Sequence, residues 1–241
     1  MSENIFVKNR KNVVAEKRIK IILWYVIECY LLASTNNEKY SKAWVKNNTS
    51  IKFENYLRNR LVDDYLIANK DLLKQKTLSL SEINFIYEPE KEYIDARDGK
   101  IKSDKIDIYI NKLGLQKEWA KEDENLYFAI ECKRIKVLSD TKEYITDIEN
   151  FCLRRHKNTR LPFEGQIAFI ENKEISHQKL QEKINEILLK HKKIVTSNFL
   201  KSIVLNEKFE GAYLSKHLRG NNKQNFSVYH LLLDYSDIVL N

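Results

Sequence analysis

Glycine and proline are scarce in this chain, 5 and 2 in 241 residues. With so few of the residues that build flexible or stiff spacers, the chain has no Gly/Ser or Pro-rich linker and no low-complexity segment. Its length allows one sizeable core, or one core domain with a small appendage. Cysteine is sparse too: Cys29, Cys132 and Cys152 form no C-x-x-C or Cys/His spacing. Three such residues argue against a disulfide framework and a structural zinc site, and fit a reducing cytoplasm. Long apolar runs are also missing. The best candidate, Ile19 to Ala33, has 15 residues and carries Lys20 and Glu28, short of the ~20 needed to cross a bilayer. It reads as a buried helix, and the 18 largely polar residues ahead of it are unlike a secretory signal.

Acid is what the charge balance has too little of: 34 acidic residues against 42 basic ones give a formal net charge of +8. A cationic surplus suits a polyanionic partner, because counterions released from a phosphate backbone favour binding. Solubility alone is the other reading of the same surplus.

Periodicity orders the rest. A long helix is expected from about Lys8 to Ser34, basic at its start and apolar around Trp24, Ile27 and Leu31. Thr49 and Ser50 are placed to cap a second helix, in which Phe53, Tyr56, Leu57, Leu61 and Tyr65 recur at helical spacing. Strand-like runs follow at Ile83–Tyr87, Lys105–Ile110 and Leu126–Ile135, separated by polar turns with Pro89, Asp98-Gly99 and Gly114, and predict a meander. Asp140 and Glu143 resemble a capping box, opening a helix lined by Tyr144, Ile148, Phe151 and Cys152 that ends near Arg154–Lys157. A buried strand at Gly165–Ile170, a helix at Ser176–Lys190 and a last strand at Val228–Leu233 complete the pattern.

Two acids and a lysine stand where core residues are expected. Asp107 sits among isoleucines in Ile106-Asp107-Ile108, and Glu131-Cys132-Lys133 ends the apolar run Leu126–Ile130. On a strand, Glu131 and Lys133 point the same way, about 7 Å apart, with Phe128, Ile130 and Cys132 on the opposite face. One acid from each of two neighbouring strands suits a divalent cation, and an ammonium beside them can orient or deprotonate a water. Asp104 competes with Asp107, but it lies in the polar lead-in Lys102–Lys105, whereas a carboxylate between isoleucines needs a compensating cation.

In these residues and their context the chain resembles the PD-(D/E)xK nuclease superfamily, whose members include restriction endonucleases, repair nucleases and junction resolvases. The likeness is specific over about residues 104 to 170. It implies an α/β fold of mixed α+β type: a restriction endonuclease-like core with a central mixed sheet flanked by helices. That core would span residues 46–241, behind an N-terminal helical extension, 1–45. The implied activity is magnesium-dependent hydrolysis of DNA phosphodiesters in bacterial restriction or anti-phage defence. Asp107 and Glu131 would be ligands of Mg2+ or Mn2+ together with the backbone carbonyl of Cys132, Lys133 would act on the attacking water, and Glu54 would be an additional acid. Arg134, Lys136, Arg154 and Arg155 are candidate phosphate contacts, and Gln166 a candidate neighbour of the scissile group. The expected partner is double-stranded DNA, with a homodimer or a defence partner protein to cut both strands and no membrane. A non-catalytic nucleic-acid-binding or assembly module, and a structure-selective repair or junction nuclease, are the alternatives. Trp24, Trp44 and Trp119 read as core residues rather than base-stacking platforms.

Overall fold

Side chains of Phe128–Ile135 alternate as a strand requires: Phe128, Ile130 and Cys132 enter one apolar cluster, while Ile135 enters a second on the other side. A strand flanked in this way must lie between two layers. A computed structural model describes residues 5–76, 82–115, 126–155, 161–220 and 224–240, with backbone alone for residues 5–10 and 155. In chain order it forms α1 (Ile5–Thr35), β1 (Tyr40–Ser41), α2 (Lys42–Asn48), α3 (Phe53–Arg60), which runs on into a π-helix at Leu61–Ile67, and α4 (Lys70–Lys76). Then come β2 (Asn84–Tyr87), β3 (Glu90–Asp95), β4 (Ile101–Lys105), β5 (Ile108–Asn111), β6 (Phe128–Ile135), α5 (Thr141–Leu153), β7 (Arg154–Arg155) and β8 (Phe163–Ile170). The chain closes with α6 (His177–Lys190), β9 (Thr196–Ser202), β10 (Ala212–Arg219), β11 (Gln224–Asp234) and β12 (Val239–Leu240).

Seven of these strands form a mixed sheet in the order β2-β5-β6-β8-β11-β10-β9. The middle trio β6, β8 and β11 is parallel and the outer pairs are antiparallel. Parallel strands need a crossover, and α5 supplies the one between β6 and β8. Both faces are covered, so β8 is buried at every position. Helices α1, α3 and α4 close one face around Ile22, Leu57, Phe128 and Leu231; α5 and α6 close the other around Ile148, Ile184, Ala168 and Leu232. The apolar stretch of α1 is thus a wall of the main core. No helix among the described residues is long and apolar enough to cross a membrane.

The mixed sheet flanked by helices agrees with the sequence reading, and so does the meander β2-β5-β6. Several local expectations are corrected. The segment with Pro89 and Asp98-Gly99 is not a plain turn: it holds the antiparallel ribbon β3–β4, which pairs through β3 with β7 in a separate three-stranded sheet. For that reason Lys105–Ile110 is not one strand. The chain leaves the ribbon at Lys105 and joins the central sheet at Ile108, with Ile106 and Asp107 at the break. Helix α3 starts at Phe53, and its N-cap, Lys52, makes no side-chain cap; Thr49 instead accepts from the Ile51 amide. Asp140 looks backward and accepts from the amides of Lys136 and Val137 rather than capping α5. Ser176 does cap α6, accepting from the Lys179 amide at 3.2 Å.

Candidate active site

The site begins where β6 outruns β5. Their last paired residues are Ile108 and Ile130, whereas β6 continues along β8 to Ile135. The amides of Cys132 and Arg134 therefore face an edge with no strand beside it among the described residues, and a buried N–H without an acceptor is costly. Two carboxylates fill the gap. Asp107 Oδ2 accepts from the Cys132 amide at 2.8 Å, and Glu54 Oε2, from the first turn of α3, accepts from the Arg134 amide at 3.0 Å. A strand residue turns its N–H and C=O toward the same edge, so the Cys132 carbonyl opens beside Asp107. The Cys132 thiol is buried on the opposite face, as its alternation requires.

On the α5 side of β6 stand Glu131 and Lys133. The Lys133 ammonium lies 3.3 Å from Asp147 Oδ2 on α5 and 3.7 Å from Glu54 Oε1. Burial alone would pull its pKa down, but Asp147, Glu54, Asp107 and Glu131 together hold it above the ordinary lysine range. Burial pushes the Glu131 carboxyl well above its ordinary range; the charges of Asp107 and Asp147 add to the push, and Arg154 opposes it. Burial likewise raises Asp147, to about 6, against the pull of Lys133 and with a further push from Asp107.

Two arginines tie the acids to the scaffold. Arg58 of α3, 1% exposed, donates from Nη1 to Asp107 Oδ1 at 2.7 Å and from Nη2 to Glu88 Oε1 at 2.9 Å. Glu88 itself sits at a left-handed φ of 54° between β2 and β3, a conformation that such bonds help to hold. Arg154 approaches Glu131 Oε1 at 3.4 Å, pairs with Asp104 on β4, and lies over the Tyr93 ring.

The fold thus brings together Asp107, Glu131, Lys133, Glu54 and Arg154 of the residues expected from sequence. Gln166 is their neighbour: it is the β8 partner of Glu131 and donates to the Tyr144 carbonyl at 2.6 Å. Arg134 turns to the other face, where its guanidinium is committed to Glu171 and laid on Phe53. Lys136 is exposed beyond the strand. The Arg155 side chain and Trp119 lie outside the described residues; Trp24 packs partly on the core, and Trp44 is half exposed. Asp104 is the Arg154 partner rather than a neighbour of the Cys132 amide.

Sequence reasoning missed Asp147 and Arg58. Both carried a signal, a charge set into an apolar helical face: Asp147 follows Tyr144 by three residues and precedes Ile148, while Arg58 lies between Leu57 and Leu61.

Chemically, the donors are hard oxygens in surplus. Four acids, Asp107, Glu131, Asp147 and Glu54, face Lys133, with Arg58, shared with Glu88, and Arg154, shared with Asp104, behind them, so acids outnumber bases in the pocket inside a cationic chain. Among the described residues no three His, Cys, Asp or Glu side chains form a metal-holding group. A cation here would rest on Asp107, Glu131, a carbonyl and water, a donor set of the kind magnesium accepts. Comparison with family models, with curated proteins and with solved structures finds no match to this chain.

Proposed function

We propose that the chain is a magnesium- or manganese-dependent endonuclease with a restriction endonuclease-like core, hydrolysing phosphodiester bonds of double-stranded DNA. The observation that carries this reading is the convergence of Asp107 and Glu131 with Lys133 at the open edge of β6. Asp107, Glu131 and the Cys132 carbonyl would hold the cation, which when bound activates water and polarises the phosphate. Lys133 keeps its ammonium beside these acids, where it orients the nucleophile and offsets charge developing on the phosphoryl oxygens. Arg154, paired with Asp104 and Glu131, would grip two phosphate oxygens on exchanging the Asp104 carboxylate for substrate. Action in the cytoplasm within bacterial restriction or anti-phage defence, as a homodimer or with a partner protein, belongs to the same proposal and rests on the family resemblance.

A second reading has its own support. Arg58 and Arg154 already neutralise Asp107 and Glu131 from within, as a binding module without turnover would allow. Incubating the purified chain with supercoiled plasmid, linear duplex, branched DNA and single-stranded DNA or RNA, in Mg2+ or Mn2+ and in EDTA, separates the readings. The proposal expects metal-dependent cutting of duplex DNA, lost in Asp107→Ala, Glu131→Ala and Lys133→Ala. Preference for branched DNA would make the chain a repair or junction nuclease. Metal-independent binding with no cutting of any substrate would leave the binding module and remove the enzyme.

A further inference from the structure

Lys133 is held by two acids that differ in their other commitments. Glu54 bonds the Arg134 amide through Oε2 and keeps 29% of its side chain exposed. Asp147 is 10% exposed, and among the described residues Lys133 is its only ion-pair partner, at 3.3 Å. It rises from the apolar face of α5, next to the fully buried Tyr144 and Ile148. An apolar side chain would pack at that position without desolvation cost, so apart from its pairing with Lys133 the packing of α5 does not explain a carboxylate there. Nor does backbone bonding, since no amide among the described residues donates to it.

A lysine has a flexible four-carbon stem, and its ammonium settles wherever negative charge is strongest. Without Asp147, Glu54 at 3.7 Å is the acid nearest the ammonium, with Asp107 and Glu131 next in influence, and an ammonium drawn toward those last two would occupy the space a cation and a phosphate need. We propose that Asp147 is a positioning residue of the centre, pulling the Lys133 ammonium to the α5 side and keeping it off the Asp107 and Glu131 carboxylates. The purpose of this arrangement rests on the hydrolase reading; its geometry does not.

Two measurements test it. In the active full chain, Asp147→Asn lowers kcat/KM about 10- to 100-fold, the range for a supporting residue, with KM and the metal requirement both rising as the ammonium competes for that space, and Asp147→Glu recovers part of the loss. Independently of turnover, the metal-free protein labelled with 15N-lysine gives a protected Lys133 ammonium cross-peak, assigned by its loss in Lys133→Met. That peak shifts in Asp147→Asn and in the smaller Asp147→Ser, as the ammonium turns to the remaining acids, and keeps its position in Asp147→Glu. An unchanged cross-peak in either uncharged variant overturns the proposal, as does a parental cleavage rate in Asp147→Asn. If the parent cuts nothing, the hydrolase reading fails while the cross-peaks still decide the role of Asp147.

Discussion

Arg58 lets the energetics of the site be tested without any assumption about catalysis. Its guanidinium is 1% exposed and bonds Asp107 Oδ1 at 2.7 Å, Glu88 Oε1 at 2.9 Å and Asn59 Oδ1 at 2.9 and 3.1 Å. Burial works against its charge, and its bonds to Glu88 and Asp107 overcome that and hold it above the ordinary arginine range. Arg58→Met keeps the stem and deletes the cation, leaving Asp107, 19% exposed, as an anion beside Glu131 and Asp147. Breaking a buried pair in this way costs about 3–5 kcal/mol, and the partial exposure of both acids argues for the low end, about 3. For a chain of this size that lowers Tm by roughly 6–12 °C. The double variant carries the sharper consequence. Asp107→Asn removes the stranded charge, so Arg58→Met/Asp107→Asn recovers about 1 kcal/mol over Arg58→Met alone. Urea unfolding of the parent, both single variants and the double, in EDTA at pH 7.5, reads all four stabilities. A double variant less stable than Arg58→Met, or a single variant within about 0.5 kcal/mol of the parent, would refute the reasoning.

Two further outcomes follow from the same structure. Glu131→Gln removes a buried charge that its surroundings already disfavour, so the metal-free variant unfolds at higher urea, by about 1 kcal/mol, while any metal-dependent cleavage disappears; a lower midpoint would contradict this. His217 is fully buried on β10 between Ser215 and Thr196, and burial lowers it to about 4. The unfolded chain, with a histidine near 6.5, binds the proton first, so this residue withdraws stability as pH falls from about 6.5 toward 4, roughly 2 kcal/mol by pH 5. Asp147, raised to about 6, acts in the opposite sense over nearly the same window. The His217 share is therefore read as a difference: the gap between His217→Gln and parent narrows on going from pH 7.5 to pH 5, and a constant gap would remove it.

The part of the site that could be read in the sequence is the part governed by local alternation. Glu131 and Lys133 share a face because a strand has a period of two, and Cys132 turns inward for the same reason. What failed was partner assignment. Lys105–Ile110 reads as one strand behind the polar lead-in Lys102–Lys105, yet the lead-in pairs with β3 while Ile108–Ile110 pairs with β2 and β6. Local pattern carries no information about which strand lies alongside. The ribbon β3–β4 escaped because Glu-Lys-Glu-Tyr-Ile-Asp and Ile-Lys-Ser-Asp-Lys are mostly charged, so neither shows a buried face. Strands β9 and β10 escaped because their apolar positions are interrupted by Ser, Lys and His; Ser215 and His217 are buried only because they bond each other and their neighbours. Asp147 and Arg58 needed a different question, which charge sits on the apolar side of its helix.

The acids of the site divide by what requires them. Wherever β6 outruns β5, the amides of Cys132 and Arg134 need acceptors, and Asp107 and Glu54 meet that need whether or not any substrate binds. A loss of activity on changing either residue therefore mixes architecture with chemistry. Glu131 and Asp147 accept from no backbone amide among the described residues, and their surroundings disfavour their charge. Folding alone gives no reason to keep two buried anions around one lysine. It is at Glu131, Asp147 and Lys133, rather than at the more conspicuous Asp107, that substitution separates a site kept for chemistry from an edge kept closed for stability.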